Sequence, residues 1–159
     1  MKRHILTVAM LLLTLALPLP AMAAKLTGGT MSVDLPARWT GVYHPADNNF
    51  LITAPDEICF IFVRVVDNKG GKSIQEWSQT FANVLNGTEP KKISDNYYYF
   101  FANVDGVDMT VDVRTAGSKI LAYAEFGDPT NFAEDIKKIK KSFKSTNKKE
   151  QAVLNLLKE

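Results

Sequence analysis

The chain has 159 residues, 46% of them hydrophobic, with 19 basic and 17 acidic side chains and a formal net charge of +2. Lys2 and Arg3 fall in a front segment without acids, so the rest is balanced at 17 basic against 17 acidic residues, which excludes a globally basic nucleic-acid binder. The length suits one domain with its own core, and the single Cys59 excludes an intramolecular disulfide.

Residues 1–24 read as a secretory leader. Lys2, Arg3 and His4 precede a leucine-rich run, and Ala21-Met22-Ala23 supplies the small residues that a signal peptidase cuts behind. The apolar stretch Ile5–Leu17 falls short of the roughly 20 residues that span a bilayer. Pro18 and Pro20 end it. Cleavage is expected after Ala23 or Ala24, and no cysteine follows to carry a lipid. The processed protein is therefore expected to be free in the periplasm or secreted, not lipid-anchored, and without a transmembrane span. Residues 25–146 then form one α+β domain, and 147–159 a C-terminal tail.

Met31, Val33 and Leu35 alternate with polar residues as in a half-buried strand, which Pro36 stops. Gly41–His44 and Phe50–Ala54 read as short strands around a turn-rich segment. Ile58–Val66 is apolar on both faces, the mark of a central strand covered on both sides. Cys59 lies inside it and reads as a small buried hydrophobe.

The period then changes. Ile74, Trp77, Phe81 and Val84/Leu85 line one stripe of a helix, opened by the capping box Ser73–Glu76 and closed by Asn86-Gly87. Tyr97–Val104, Val107–Ala116 and Lys119–Phe126 follow as three strands, with Asp105-Gly106 as a hairpin turn needing positive φ at both positions. Asp128 is expected to cap a last helix with Pro129 at its first position, and Phe132, Ile136, Ile139 and Phe143 form its apolar stripe. The tail is expected to be helical but loosely attached, because Ala152–Leu157 follows a run of charges. This order gives an α+β domain, an antiparallel sheet with helices packed on both faces.

At Leu35-Pro36-Ala37-Arg38-Trp39 and at Ser142-Phe143-Lys144 the chain resembles the PsbP/DcrB-like group, which includes the Ran-binding Mog proteins. The resemblance spans about residues 26–145. It implies a PsbP-like α-β-α sandwich and little chemistry, because members of the group are mostly assembly or interaction proteins. Arg38 departs from the glycine usual before the tryptophan.

No motif supplies a catalytic residue, cofactor site or metal site. Gly71-Lys72-Ser73 sits between strand and helix like a phosphate loop, but Val66 stands where the first glycine belongs. Asn103–Asp108 lacks the spaced oxygens of a calcium loop and reads as a hairpin. His44 is the one histidine beyond the leader. The unusual stretch is Tyr97–Phe101, in which Tyr97, Tyr99 and Phe101 share one strand face. The expectation is a non-enzymatic exported domain that binds a protein partner, an envelope protein, or supports an envelope assembly. The alternative is a small-ligand site or enzyme pocket near Trp39, Tyr43, His44 and the Tyr97–Phe101 strand, with Tyr97 and Tyr99 as contacts.

Overall fold

The computed structural model describes residues 23–159. Most of the expected leader, residues 1–22 of 1–24, lies outside the described residues. Among the described residues, two antiparallel sheets and three α-helices make a mixed α+β fold. The smaller sheet has the order β1-β2-β10 and comprises β1 (Ala24–Gly28), β2 (Met31–Leu35) and β10 (Lys144–Ser145). The larger has seven strands in the order β3-β4-β5-β9-β8-β7-β6. Its members are β3 (Thr40–His44), β4 (Asn49–Thr53), β5 (Cys59–Asp67), β6 (Lys91–Ser94), β7 (Tyr97–Val104), β8 (Val107–Ala116) and β9 (Lys119–Gly127). The helices are α1 (Ile74–Val84), α2 (Ala133–Ser142) and α3 (Lys148–Asn155). No helix among the described residues is long and apolar enough to cross a membrane.

Successive side chains of a strand point to opposite faces, and β5 shows what that achieves. Cys59, Ile61, Val63 and Val65 enter one core cluster, shared with residues of β2, β4, β9, α2 and α3. Phe62 and Val66 pack against a second cluster, around Phe100, Val111, Val113, Ile120 and Ala82 of α1. The strand lies between β4 and β9 in full antiparallel register. The β7–β8 hairpin turns through Asp105 at φ 53° and Gly106 at φ 83°, the left-handed pair that the sequence demanded.

The caps of α1 form as expected. Ser73 Oγ accepts the Glu76 N–H at 3.2 Å, and the Glu76 carboxylate accepts the Ser73 N–H at 2.7 Å. At the other end Asn86 takes φ 50° and the Gly87 N–H reaches the Ala82 carbonyl at 2.8 Å, a Schellman closure. The depth of α1 differs from expectation. Ser78 and Ala82 are its buried residues, whereas Ile74, Trp77 and Phe81 are half-buried at the margin of the second cluster. The helix rests on β7 and β8 through its small residues and leaves its aromatics leaning over the strands beyond.

The start of α2 also differs. Asp128 Oδ1 accepts the Thr130 N–H at 2.9 Å, and the Phe132 N–H bonds to the Pro129 carbonyl at 2.9 Å. These tight bonds make a 3₁₀ turn at Thr130–Phe132 before the α-helix begins. Ile136, Ile139 and Phe143 are buried as the stripe predicted, while Phe132 is half-buried, edge-on to Trp39.

Leu35, Trp39 and Phe143, from the two segments that carry the resemblance, enter the same core cluster. Trp39 is buried and donates its indole N–H to Asp135 of α2 at 3.1 Å. Ser142 Oγ accepts the Asp34 N–H of β2 at 3.0 Å, and the Phe143 ring lies 5.9 Å from that of Phe50. Arg38, the departure from the pattern, holds φ 71°, a conformation glycine adopts without cost.

The tail is not loosely attached. Asn147 caps α3 by accepting the N–H groups of Lys149 and Glu150, and Val153, Leu154 and Leu157 all enter the first core cluster. Glu150, only 6% exposed, accepts hydrogen bonds from the Thr30 and Ser145 hydroxyls and from Lys119. Lys119 in turn reaches Asp67 at 2.9 Å. The apolar residues of this segment stand out in the sequence, but the charges ahead of them pointed to a loose tail rather than a docked one.

Candidate functional site

The residues singled out in the sequence do not come together. β3 is one edge of the seven-stranded sheet and β7 lies next to the other, so Tyr43 and His44 stand at the opposite side from Tyr97 and Tyr99. Trp39 is core. Tyr43 packs against Phe50 with ring centroids 5.0 Å apart and donates its hydroxyl to Asn48 at 2.9 Å. His44 is exposed at the end of β3. A shared pocket joining these residues to the Tyr97–Phe101 strand is therefore not formed.

β7 divides its aromatics as period two requires. Tyr98 and Phe100 are buried, while Tyr97 and Tyr99 are half-buried and Phe101 is 48% exposed on the opposite face. The β7–β8 register sets Tyr97 beside Arg114, Tyr99 beside Asp112 and Phe101 beside Thr110. The next strand adds Leu121, Tyr123 and Glu125 opposite the same three β8 residues. One sheet face thus carries an aromatic row, a polar row and a mixed row.

The polar row is organised by Arg114. Its guanidinium carbon lies 4.0 Å over the Tyr97 ring, it donates to the Leu156 carbonyl after α3, and it stands 3.7 Å from Asp112. Its Nε is buried without a hydrogen-bond partner. Tyr97 donates its hydroxyl to Asp112 at 3.0 Å. Burial raises the Asp112 carboxyl above its ordinary value, against the opposing pull of Tyr97 and Arg114. Burial also raises the Tyr97 phenol, helped by the Asp112 charge.

Beyond this lies a second pair. Tyr123 donates to Glu125 at 2.7 Å, and Lys140 of α2 meets the same carboxylate at 2.6 Å, with its ammonium 4.6 Å over the Tyr123 ring. Burial and the Glu125 charge push the Tyr123 phenol well above its ordinary value. A cleft of about 620 Å³ opens between this face and α2, where Arg114, Glu125, Lys137, Lys140 and Lys158 contribute to its lining. Shifted groups in a cleft invite a catalytic reading; here Tyr97, Asp112 and Arg114 pair with one another, as do Tyr123, Glu125 and Lys140.

Sequence reasoning found the aromatic row and missed Asp112, Arg114, Glu125 and Lys140. In β8 the residues Asp108, Thr110, Asp112 and Arg114 alternate with valines and methionine, the pattern of a solvent-facing row. The available signal was an acid and an arginine two apart on the face that a tyrosine strand would pair with.

No family model matches the chain, and no curated protein matches it. Among solved structures it is similar to a cyanobacterial PsbP from Synechocystis sp. PCC 6803, with 13% identity, a TM-score of 0.45, and coverage of 82% of this chain and 95% of that one. It is also similar to a protein from Bacteroides thetaiotaomicron VPI-5482, with 12% identity and a TM-score of 0.45 over 75% of this chain; it spans 46% of that protein's length.

Proposed function

We propose that this chain is an exported, non-enzymatic domain that binds a protein partner of the cell envelope through the sheet face bearing Tyr97, Tyr99 and Phe101. In this reading the fold is a PsbP-like α-β-α sandwich, in which the Leu35–Trp39 and Ser142–Lys144 segments knit the first sheet to α2. The leader pattern at residues 1–24 supports export, with the protein released in the periplasm or outside the cell.

The observation that carries the reading is the exposed Phe101 set edge-on to Tyr99, ring centroids 5.5 Å apart, on the strand face whose other end holds Tyr97 pinned by Arg114 and Asp112. Tyrosine, phenylalanine and arginine are the residues enriched at protein interfaces, and anchors fixed before binding lose less entropy when a partner arrives. Mutual pairing of the nearby charges supports an interaction surface over a reaction centre.

The test is quantitative capture from native envelope extract with protein purified from expression of the full chain, beside a Tyr99→Ala/Phe101→Ala double variant. The reading expects a specific partner retained by the first and lost by the second, with both melting alike. Equal retention by a correctly folded double variant, or no specific partner, would contradict it. Fractionation of cells expressing the full chain tests export separately.

A further inference from the structure

A second cleft lies on the opposite face of the sheet, between α1 and strands β5, β8 and β9, with a volume of about 310 Å³. Its existence follows from residue size. On the first face β9 presents the large Leu121 and Tyr123 to the core, while on this face it presents Ala122 and Ala124. The helix approaches through Ser78 and Ala82, so Phe81 and Leu85 lean over the gap and Phe62 and Met109 bound it from the sheet. Val84, which also borders it, is 76% exposed, so the cleft opens to solvent.

The lining fixes the chemistry of an occupant. Apart from Arg64 every lining side chain is apolar, and a polar group carried inside would lose water without gaining a partner. The body of a ligand must then be hydrocarbon. Arg64 supplies one cationic end. Its Nε donates to the Asp47 carbonyl at 3.0 Å, and its terminal nitrogen lies 3.4 Å from the Asp47 carboxylate in a pair exposed at 35% and 59%. Such an exposed pair contributes little, whereas a carboxylate meeting the guanidinium fork makes two charge-assisted bonds. The volume sits at the low end of the roughly 300–1,000 Å³ of small-molecule sites, room for one chain and not two.

We propose that this cleft binds a single-chain amphipathic anion, a medium-chain fatty acid, with its hydrocarbon beneath α1 and its carboxylate on Arg64. The site is separate from the proposed partner face, and neither depends on the other.

Calorimetric titration with dodecanoate below its micelle concentration tests this, using protein purified from expression of the full chain. Saturable one-site binding is expected, weakened at least about tenfold in Arg64→Gln, which removes both charge-assisted bonds. Dodecyltrimethylammonium should not bind, and Ala124→Leu should abolish binding by filling the cleft. Amide chemical shifts under dodecanoate should move at Phe81, Leu85, Ala122 and Ala124, which keeps the proposal testable if Ala124→Leu fails to fold. Absence of saturable binding, indifference to the headgroup or to Arg64→Gln, or shifts confined to the Tyr97–Phe101 face would overturn it.

Discussion

The two sides of the large sheet are built differently. Against α2 and α3 the apolar core is sealed, and the cleft on that side is lined mainly by charged and polar residues: Ile136, Ile139, Phe143, Val153, Leu154 and Leu157 are all buried, facing Leu121, Tyr123, Ile61 and Val63. Against α1 the contact runs through Ser78 and Ala82, and the larger Ile74, Trp77 and Phe81 remain half-buried. Yet α1 has the bulkier apolar stripe. Periodicity tells which face of a helix turns inward, while the sizes of the residues beneath it decide how deeply it sinks.

The sharpest way to break this contrast is to remove the last helix. Deleting Gln151–Glu159 takes Val153, Leu154 and Leu157 from the sealed side, and buried aliphatics of this kind each contribute about 2–5 kcal/mol. That sum rivals the whole stability of a small domain, about 5–15 kcal/mol. The truncated protein should show no cooperative thermal transition, and a near-normal melt would mean that α3 does not hold the core.

Point substitutions sharpen the same comparison. Phe143→Ala, on the sealed side, should cost about 3–5 kcal/mol in denaturant melts. Trp77→Ala, half-exposed and held by one indole bond to Asn68 at 3.0 Å, should cost about 1–2 kcal/mol. Equal losses would erase the distinction between the two sides.

Glu150 gives the sealed side a pH signature. The Thr30, Ser145 and Lys119 hydrogen bonds hold its carboxyl below the ordinary value, outweighing burial, which pushes it up. A carboxyl lowered on folding stabilises above its unfolded pKa and loses that contribution as pH falls through the folded one. Glu150→Gln should therefore cost about 1–3 kcal/mol at neutral pH, and the gap should close as acid protonates the wild-type carboxyl. A gap that stays constant into acid would show that the charge contributes nothing.

Cys59 reports on access to the sealed core without changing its stability. Burial above all, then the charges of Glu125, Asp56 and Asp128, push its thiol up to about 11. A maleimide should label the native protein very slowly and the unfolded protein rapidly. Fast native labelling would place β5 at the surface.

Much of this architecture is legible in the sequence, wherever side chains alternate cleanly or caps carry their own chemistry. β2, β5, the β7–β9 meander and both ends of α1 belong to that class. β1 was hidden because its Ala24-Lys25-Leu26-Thr27-Gly28 has little apolar alternation and starts at the last residue of the expected leader. β6 was hidden because all four of its residues are exposed at a sheet edge. The depth of α3 was masked by Lys148, Lys149 and Glu150, a charge run whose third member turns out to be buried and partnered. The candidate site was half legible: an aromatic pentad stands out in any strand, but Asp112 and Arg114 become a site only through the register that sets them beside it.

Native-state amide hydrogen exchange across the sheet tests the central contrast most directly. The account predicts that amides near Ile139–Phe143 and Val153–Leu154 exchange only with global unfolding, while those of Trp77–Val84 exchange through a cheaper opening of α1 alone. Equal protection of the two sets, or stronger protection of α1, would contradict it.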